Sequence, residues 1–345
     1  VEADDSGDPG SPPPGPGQVN VKLRAAPCTS ADLRTLSAAT AAAATNHDSD
    51  SPHERPSSPH LAFAFPFVGG SEGLWEVTAA GKGVSSLRPG DLAIPTIPGN
   101  APGTGTETGT WRTTATLGEA LLVRVPGAGR GGEAMGGSVE PAVAAHVSAS
   151  VAAAIRILED YSPKRLEAGD RVVLTGASSA VAQILLQLAA ARGLESVCLV
   201  ASEEEAALAM KLGAWKATLL KEFKAMRMDN ACLVADGEGG VLGFTAARAL
   251  RFRGFYVSYA DASGGGVSLP VAGQIFSDTR SRGFSLQRWA SGRPLEETRA
   301  LVAESLEAAA GLSLEGVREF DLVEAAAAIE AARTPGGPVV LRAEC

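Results

Sequence analysis

Residues 172–193 read VVLTGASSAVAQILLQLAAARG and contain the clearest indication of the chain's architecture. The stretch begins with aliphatic and β-branched residues, which are typical of a buried strand. A short turn at Gly176 follows, and the apolar residues after it recur at helical spacing up to Gly193. Strand, tight turn and helix in this order open a dinucleotide-binding unit, but Ala180 and Ala182 stand where such a turn normally has glycine.

Helix and strand patterns alternate on both sides of this stretch, from about residue 140 onward. The segments RVVLTG, SVCLVA, ACLVAD and GFYVSYA are typical of buried strands, and VAAAIRILEDY, EEEAALAMKLGA and GFTAARALRF are typical of helices. Such alternation predicts a parallel sheet with right-handed crossovers, the doubly wound α/β fold. Residues 317–344 predict a further strand, helix, turn and strand.

The N-terminal part has a different pattern and predicts a β-rich domain. Strand signals such as VNVKLRAAP and LRPGDLAIP lie beside Gly and Pro turns, and CTSADLRTL predicts a short helix. We therefore divide the chain into an acidic Pro/Gly tail (1–18), a β-rich domain (19–145), a doubly wound domain (146–290) and a return to the β-rich domain (291–345). Low-complexity loops are predicted within the β-rich domain at about 38–60 and 99–108.

Composition excludes several classes of function. The net charge of −9 argues against direct nucleic-acid binding, which depends on concentrated Lys and Arg. No apolar run reaches the roughly 20 residues of a membrane span, so no transmembrane helix is expected. The four cysteines are scattered and the loop histidines lack ligand spacing, so neither a disulfide framework nor a metal site is predicted.

Several short motifs carry a family resemblance in a consistent order. They are PFVGGSEG (66–73), LRPGDLAIP (87–95), GTWRT (109–113), LEAGDRVV and IFSDTRSRGFSLQRW (275–289). Together they resemble the zinc-free medium-chain dehydrogenase/reductase superfamily, specifically the mitochondrial 2-enoyl thioester reductases. The resemblance implies a GroES-like β-rich domain joined to a Rossmann-type domain, a mitochondrial location, a homodimer, and NADPH-dependent reduction of enoyl groups on acyl carrier protein or coenzyme A.

Carried over residue by residue, the resemblance predicts a degenerate active site. The family's catalytic tyrosine position falls near Thr40, so no catalytic residue is assigned. Its phosphate-turn glycines match Ala180 and Ala182, and its 2′-phosphate arginine region is LVASEEE. The glycine pair bordering the nicotinamide is replaced after Tyr259 by Ala260 and Asp261. The degenerate cofactor-site candidates are Gly176, Ser178, Ser179, Ala180, Ala182, Ser202, Glu203 and Tyr259, and the cleft candidates are Trp111 and Arg112.

Three hypotheses follow for function, and the third is a sensor of acyl thioesters or nucleotides without turnover. The first is a pseudoenzyme without cofactor that serves as an accessory subunit of a mitochondrial assembly, with other subunits holding the N-terminal tail. The acidic charge favours a respiratory-chain or ATP-synthase complex over a mitochondrial ribosome. The alternative is an active enoyl thioester or quinone reductase that uses NADPH, or NADH if Glu203 and its neighbours accept a ribose hydroxyl.

Overall fold

Two sheets of different construction form the framework of the molecule. The computed structural model describes residues 12–45, 68–96, 109–126, 139–162, 164–334 and 336–343. Its N-terminal strands are β1 (Gln18–Pro27), β2 (Leu74–Ala80), β3 (Leu92–Pro95), β4 (Thr114–Gly118) and β5 (Leu122–Arg124). The following strands are β6 (Arg171–Thr175), β7 (Glu195–Val200), β8 (Lys216–Leu219), β9 (Ala231–Asp236), β10 (Leu250–Ser258), β11 (Arg280–Gly283), β12 (Arg318–Asp321) and β13 (Val339–Arg342).

Helices lie between and around these strands. They are α1 (Ser30–Thr45), α2 (Pro141–Ala145), α3 (Ala152–Asp160), α4 (Ala180–Ala191), α5 (Glu203–Lys211), α6 (Leu220–Met226), α7 (Gly240–Ala247), α8 (Val271–Ser277), α9 (Leu286–Ala290), α10 (Leu295–Ala309) and α11 (Ala325–Arg333). A π-helical turn at Val147–Val151 joins α2 to α3. None of the helices in these described ranges is long and apolar enough to cross a membrane.

The first sheet is mostly antiparallel, in the order β12-β13-β1-β2-β3-β5, with β4 also pairing with β1. Alternate residues of β1, among them Val19, Val21 and Leu23, are fully buried because successive side chains of a strand point to opposite faces. The last strand, β13, pairs antiparallel with β1, and Ala26 lies opposite Leu341. The strand β13 is therefore a member of the first sheet.

The second sheet is parallel and has the order β11-β10-β9-β6-β7-β8 in the described residues. The chain starts in the middle at β6, winds outward through β7 and β8, and then crosses to β9 on the other side. The prediction of a doubly wound sheet is confirmed. The winding direction reverses between β6 and β9, and ligands of such folds bind beyond the carboxyl ends of the strands at this point.

The larger hydrophobic core connects the two sheets through the helices between them. Leu74 and Ile94 of the first sheet share a buried cluster with Ile155 of α3, Leu185 of α4 and Leu301 of α10. All of these side chains are almost fully buried. Packing against α3, β6 and β7 thus fixes α4, the helix that follows the turn at Gly176.

The structure corrects three boundaries predicted from the sequence. Helix α1 continues to Thr45, so residues 38–45 are helical rather than part of the predicted loop, because their alanine-rich sequence strongly favours a helix. The helix predicted over GFTAARALRF ends at Ala247, and Leu250 already pairs with Ala231 in the sheet. Residues 12–17 of the predicted tail contact the first sheet, where the Asn20 side chain donates to Pro12 O at 2.8 Å. Residues 46–60, 99–108 and 1–11 lie outside the described residues.

Candidate functional site

The turn between β6 and α4 lies at the reversal point of the parallel sheet. Gly176 follows β6 with a φ of +69°, a conformation that favours glycine. A Cβ atom at this position would lie only 2.3 Å from Glu238 Oε1. The open side of Gly176 is therefore filled by a side chain from the segment after β9.

Helix α4 begins with an intact cap. Ser179 is its N-cap, and the Ser179 hydroxyl accepts a hydrogen bond from the Ala182 amide at 3.2 Å. Ala180 and Ala182 are both buried, with exposed fractions of 9% and 1%. The two alanines thus accompany a regular helix start and belong to the packed interior.

Glu205 of α5 points back to this turn. Its carboxylate accepts hydrogen bonds from the Ser178 hydroxyl at 2.8 Å and from the Ala201 amide at 3.1 Å. These two donors come from the ends of β6 and β7, the edge that holds the adenosine part of a dinucleotide in Rossmann folds. Both donors are engaged by the protein's own carboxylate.

Glu238 is the second carboxylate at the turn. Burial raises its pKa to about 7, with further contributions from the negative charges of Glu205 and Asp236. Tyr259 lies on the same side of the turn as Glu238. Its hydroxyl packs against the next residue back, Gly237, and would be 2.6 Å from a Cβ atom at that position. Burial also raises the pKa of Tyr259, and its hydroxyl is hydrogen-bonded to the Ser179 side chain. Acidic and phenolic groups therefore border the turn on the β9 and β10 side.

Asp236 anchors the loop that carries Glu238. Its buried carboxylate accepts hydrogen bonds from the hydroxyls of Thr175 and Tyr256 and from the amides of Glu238 and Gly239, the amides at 3.1 and 3.0 Å. With both oxygens satisfied in this way, Asp236 holds the end of β9 against the end of β6. The position of Glu238 over Gly176 follows from this anchor.

The candidates for a 2′-phosphate or ribose site belong to a helix start. Ser202 is the N-cap of α5, and its hydroxyl accepts a hydrogen bond from the Glu205 amide at 3.2 Å. The same side chain is hydrogen-bonded to the Glu204 carboxylate. Glu203 is exposed in the first turn of the same helix. Carboxylates in a first turn interact favourably with the helix dipole. The cap and the helix dipole therefore explain the run of acidic residues, and no bound ligand is needed to explain it.

The loop after β10 contains the residues that replace the expected glycine pair. Asp261 accepts hydrogen bonds from Ser263 Oγ and Gly266 N, both at 3.1 Å, and a Cβ on Gly239 would lie 2.3 Å from Asp261 Oδ1. Burial lowers the pKa of Arg34, while the negative charge of Asp261 raises it. The Asp261 side chain thus occupies the space beside Gly239 and accepts hydrogen bonds within the loop after β10.

The remaining candidates lie in the first part of the chain. Trp111 packs against Gly69 and Gly70, and its Nε1 donates to Pro27 O at 3.1 Å. Arg112 beside it is half-buried. Thr40 lies within α1, and its side chain is outside the described residues.

Sequence reasoning missed a buried carboxyl in the GGSEG motif. Glu72 is fully buried and accepts hydrogen bonds from the Ala149 amide at 2.9 Å, the Ser150 amide at 3.2 Å and the Ser150 hydroxyl at 2.8 Å. It thereby satisfies backbone groups of the π-helical turn. The sequence signal for this buried carboxyl was an acidic residue between Gly70 and Gly73 in an otherwise apolar segment. No cluster of three or more potential metal ligands occurs in the described part of the chain.

Comparison with known proteins shows similarity to one group of enzymes. No family model matches the chain. Mitochondrial enoyl-[acyl-carrier-protein] reductases are similar to it: that of Xenopus tropicalis is 28% identical over 300 residues, covering 84% of this chain and 75% of the relative. The Arabidopsis thaliana enzyme is 30% identical over 267 residues, covering 74% and 65%. The chain spans 61% of the human relative, at 29% identity.

Solved structures of the same group share the fold. A mutant enoyl thioester reductase from Candida tropicalis superimposes with a TM-score of 0.75 at 20% identity, covering 99% of this chain and 93% of that one. The Escherichia coli quinone oxidoreductase complexed with NADPH gives a TM-score of 0.69 at 18% identity, covering 96% and 93%. The predicted combination of a GroES-like and a Rossmann-type domain is confirmed. The chain is thus similar in sequence to the mitochondrial enoyl-[acyl-carrier-protein] reductases and shares the fold of the enoyl thioester and quinone reductases.

Proposed function

We propose that this chain is a non-catalytic relative of the mitochondrial enoyl reductases that does not bind a dinucleotide and serves as a structural subunit of a mitochondrial protein assembly. The observation that carries the proposal is the pair of carboxylates at the turn after β6. Glu205 engages the Ser178 hydroxyl and the Ala201 amide, and Glu238 fills the space over Gly176. A pyrophosphate placed there would meet the charge of Glu205 and the partly ionised carboxyl group of Glu238 in a partly dehydrated setting, which opposes binding.

The positions of the tyrosines support the loss of catalysis. The chain has three tyrosines, Tyr161, Tyr256 and Tyr259. Tyr161 packs edge-on against Phe284 at 6.0 Å, Tyr256 donates to buried Asp236, and Tyr259 is bonded to Ser179. Each of them has a structural partner, and the position matched to the family's catalytic tyrosine is near Thr40, whose hydroxyl is a poor general acid.

An exposed apolar surface supports a role in an assembly. Val271, Ile275 and Phe276 of α8 have exposed fractions of 61%, 67% and 81%. Helix α8 contacts β10, and β10 pairs with β11, the strand that ends the parallel sheet and leaves an unpaired edge in the described residues. Exposed apolar side chains beside an open strand edge favour contact with another protein. The Etr1p/Etr2p heterodimer, a structural neighbour, is an assembly of two subunits.

The location is proposed from the relatives, whose names place them in mitochondria. These names give no indication of the assembly itself. The acidic net charge of −9 favours protein neighbours, as in a respiratory-chain or ATP-synthase complex, over an RNA surface.

An active reductase is the second candidate, and the neighbours' ligands favour it. Etr1p has been solved with NADP and crotonyl-CoA, and the quinone oxidoreductase with NADPH. The turn keeps its left-handed glycine at 176 and the serine cap at 179. On this hypothesis the chain reduces an enoyl thioester or a quinone with NADPH or NADH.

One titration separates the two candidates. The full chain is mixed with up to millimolar NADPH or NADH while nicotinamide fluorescence and the melting temperature are followed, and crotonyl-CoA is then added to test turnover. A ligand that binds only the native state raises the melting temperature, even at modest affinity. We expect no saturable fluorescence change, no rise in melting temperature and no turnover. Saturable binding with oxidation of NADPH by crotonyl-CoA would establish the active reductase instead.

A further inference from the structure

We infer that Glu205 and Glu238, rather than the alanines at 180 and 182, close the turn after β6 to dinucleotides. The inference rests on the proposed function, since it explains why binding is lost. It identifies a contact within the protein that occupies its own ligand site. Glu205 substitutes for the anionic group of a ligand, and Glu238 takes the space above the turn.

Glu205 has the hydrogen bonds of a bound anion. One carboxylate oxygen accepts from the Ser178 hydroxyl at 2.8 Å and the other from the Ala201 amide at 3.1 Å. One donor follows β6 and the other follows β7, so the carboxylate bridges two adjacent carboxyl ends of the sheet. An incoming ribose or phosphate group would have to displace this charge before it could use either donor.

Glu238 obstructs the turn by position as well as by charge. Its Oε1 atom would be 2.3 Å from a Cβ on Gly176, which places the carboxylate directly against the glycine backbone. The first glycine of such a turn permits the tight left-handed backbone, and a pyrophosphate binds against the backbone that follows it. Here the open face of the glycine is used by a glutamate of the same chain.

The alanines, in contrast, fit the structure without disturbing the helix start. Ala180 belongs to the large hydrophobic core, and Ala182 is 1% exposed. The Ala182 amide makes its cap hydrogen bond with Ser179. Their methyl groups are buried with the interior of α4, whereas the two carboxylates contact the turn itself.

The test uses four variants of the full chain with NADPH as the probe. E205Q/E238Q removes both charges at nearly constant volume, and E205Q/E238A also opens the space above Gly176. E296Q/E297Q is the matched control, because it removes two charges at exposed positions in the first turn of another helix, α10. A180G/A182G restores the glycines and leaves the carboxylates in place. Melting temperatures without ligand verify that each variant is folded.

We expect E205Q/E238Q to bind NADPH saturably, with a dissociation constant at least tenfold below the highest concentration at which the wild-type chain shows no binding, and E205Q/E238A to bind at least as tightly as E205Q/E238Q. The E296Q/E297Q and A180G/A182G variants should show no saturable binding, like the wild-type chain. Recovery of binding in A180G/A182G, or none in either Glu205/Glu238 variant, would overturn the inference while leaving the proposed function intact. Tight binding by the wild-type chain would instead overturn the proposed function.

Discussion

Gln183 of α4 and the main chain of Glu315 exchange two hydrogen bonds. Gln183 Nε2 donates to Glu315 O at 3.0 Å, and Glu315 N donates to Gln183 Oε1 at 2.8 Å. One turn later, Gln187 exchanges the same pair with the main chain of Ser313, at 2.8 and 2.9 Å. The segment 313–315 leads into β12, so two glutamines attach the helix after the turn to the segment that returns to the first sheet.

Replacement of Gln183 by alanine should reduce stability substantially. Gln183 is fully buried, and the variant Q183A leaves the Glu315 amide and carbonyl without their partner. We expect the free energy of unfolding to fall by about 2–4 kcal/mol, measured by urea denaturation. Q187A is the control, because Gln187 is only half-buried and water can replace its bonds more easily. A loss in Q183A no larger than in Q187A would contradict this account.

The buried carboxyl of Glu72 should tolerate an amide but not its removal. Burial raises the pKa of Glu72 to about 8, so the group is mostly uncharged near neutral pH, and glutamine matches it in charge and shape. E72A leaves the amides of Ala149 and Ser150 unsatisfied and should lower the free energy of unfolding by about 3 kcal/mol. E72Q should lose less than half of that amount. Equal losses in urea denaturation at pH 7 would show that the charge itself is needed.

The architecture was predictable because its signals are local. Strands such as β6 and β9 are continuous apolar runs, and α4 has its serine cap and apolar periodicity in consecutive residues. The end of α7 was misplaced because its predicted helix ran into β10, where pairing with β9 overrides the local helical pattern. The helix α10, with six buried residues, was not predicted, although it packs in the larger core.

The arrangement at the turn was only partly predictable. The sequence showed alanine for glycine and an acidic run after β7, and it led to the hypothesis of a lost nucleotide site. It did not show that Glu205 turns back to Ser178 or that Glu238, 62 residues after Gly176, covers that glycine. Such contacts arise from the meeting of β6, β7 and β9 at one edge of the sheet. Side chains that follow the carboxyl ends of neighbouring parallel strands are therefore the ones to compare when such contacts are predicted from sequence.

The stability of the protein should depend on pH through Glu238. Its pKa rises from 4.5 to about 7 in the native state, through burial and the nearby charges of Glu205 and Asp236. The native protein therefore holds this proton more tightly than the unfolded chain, and stability decreases as pH rises from about 4.5 through 7. In E238Q this decrease should be smaller by about 1–3 kcal/mol, measured by urea denaturation across that interval. The control E203Q, at an exposed position, should show the same dependence of unfolding free energy on pH as the wild-type chain. If E238Q also showed the wild-type dependence, the raised pKa of Glu238 would be refuted.

A methyl group on Gly176 should report directly on the contact with Glu238. G176A introduces both a left-handed alanine and a clash with the Glu238 carboxylate, whereas G169A introduces only the left-handed alanine, since the space beside Gly169 is open. We expect G169A to cost about 1 kcal/mol of unfolding free energy and G176A about 2–3 kcal/mol. In an E238A background the cost of G176A should fall to that of G169A, because only backbone strain remains.

A double-mutant cycle on G176A and E238A, measured by urea denaturation, gives this difference as a coupling free energy. Residues in contact couple by about 0.5–3 kcal/mol, while independent sites add. A coupling of about 1 kcal/mol or more would place the Glu238 side chain against Gly176 in solution, as the geometry requires. Additive effects of G176A and E238A on the unfolding free energy would mean that the Glu238 side chain can leave the turn without cost. Gly176 would then be accessible to a ligand, contrary to the inference that Glu238 covers it.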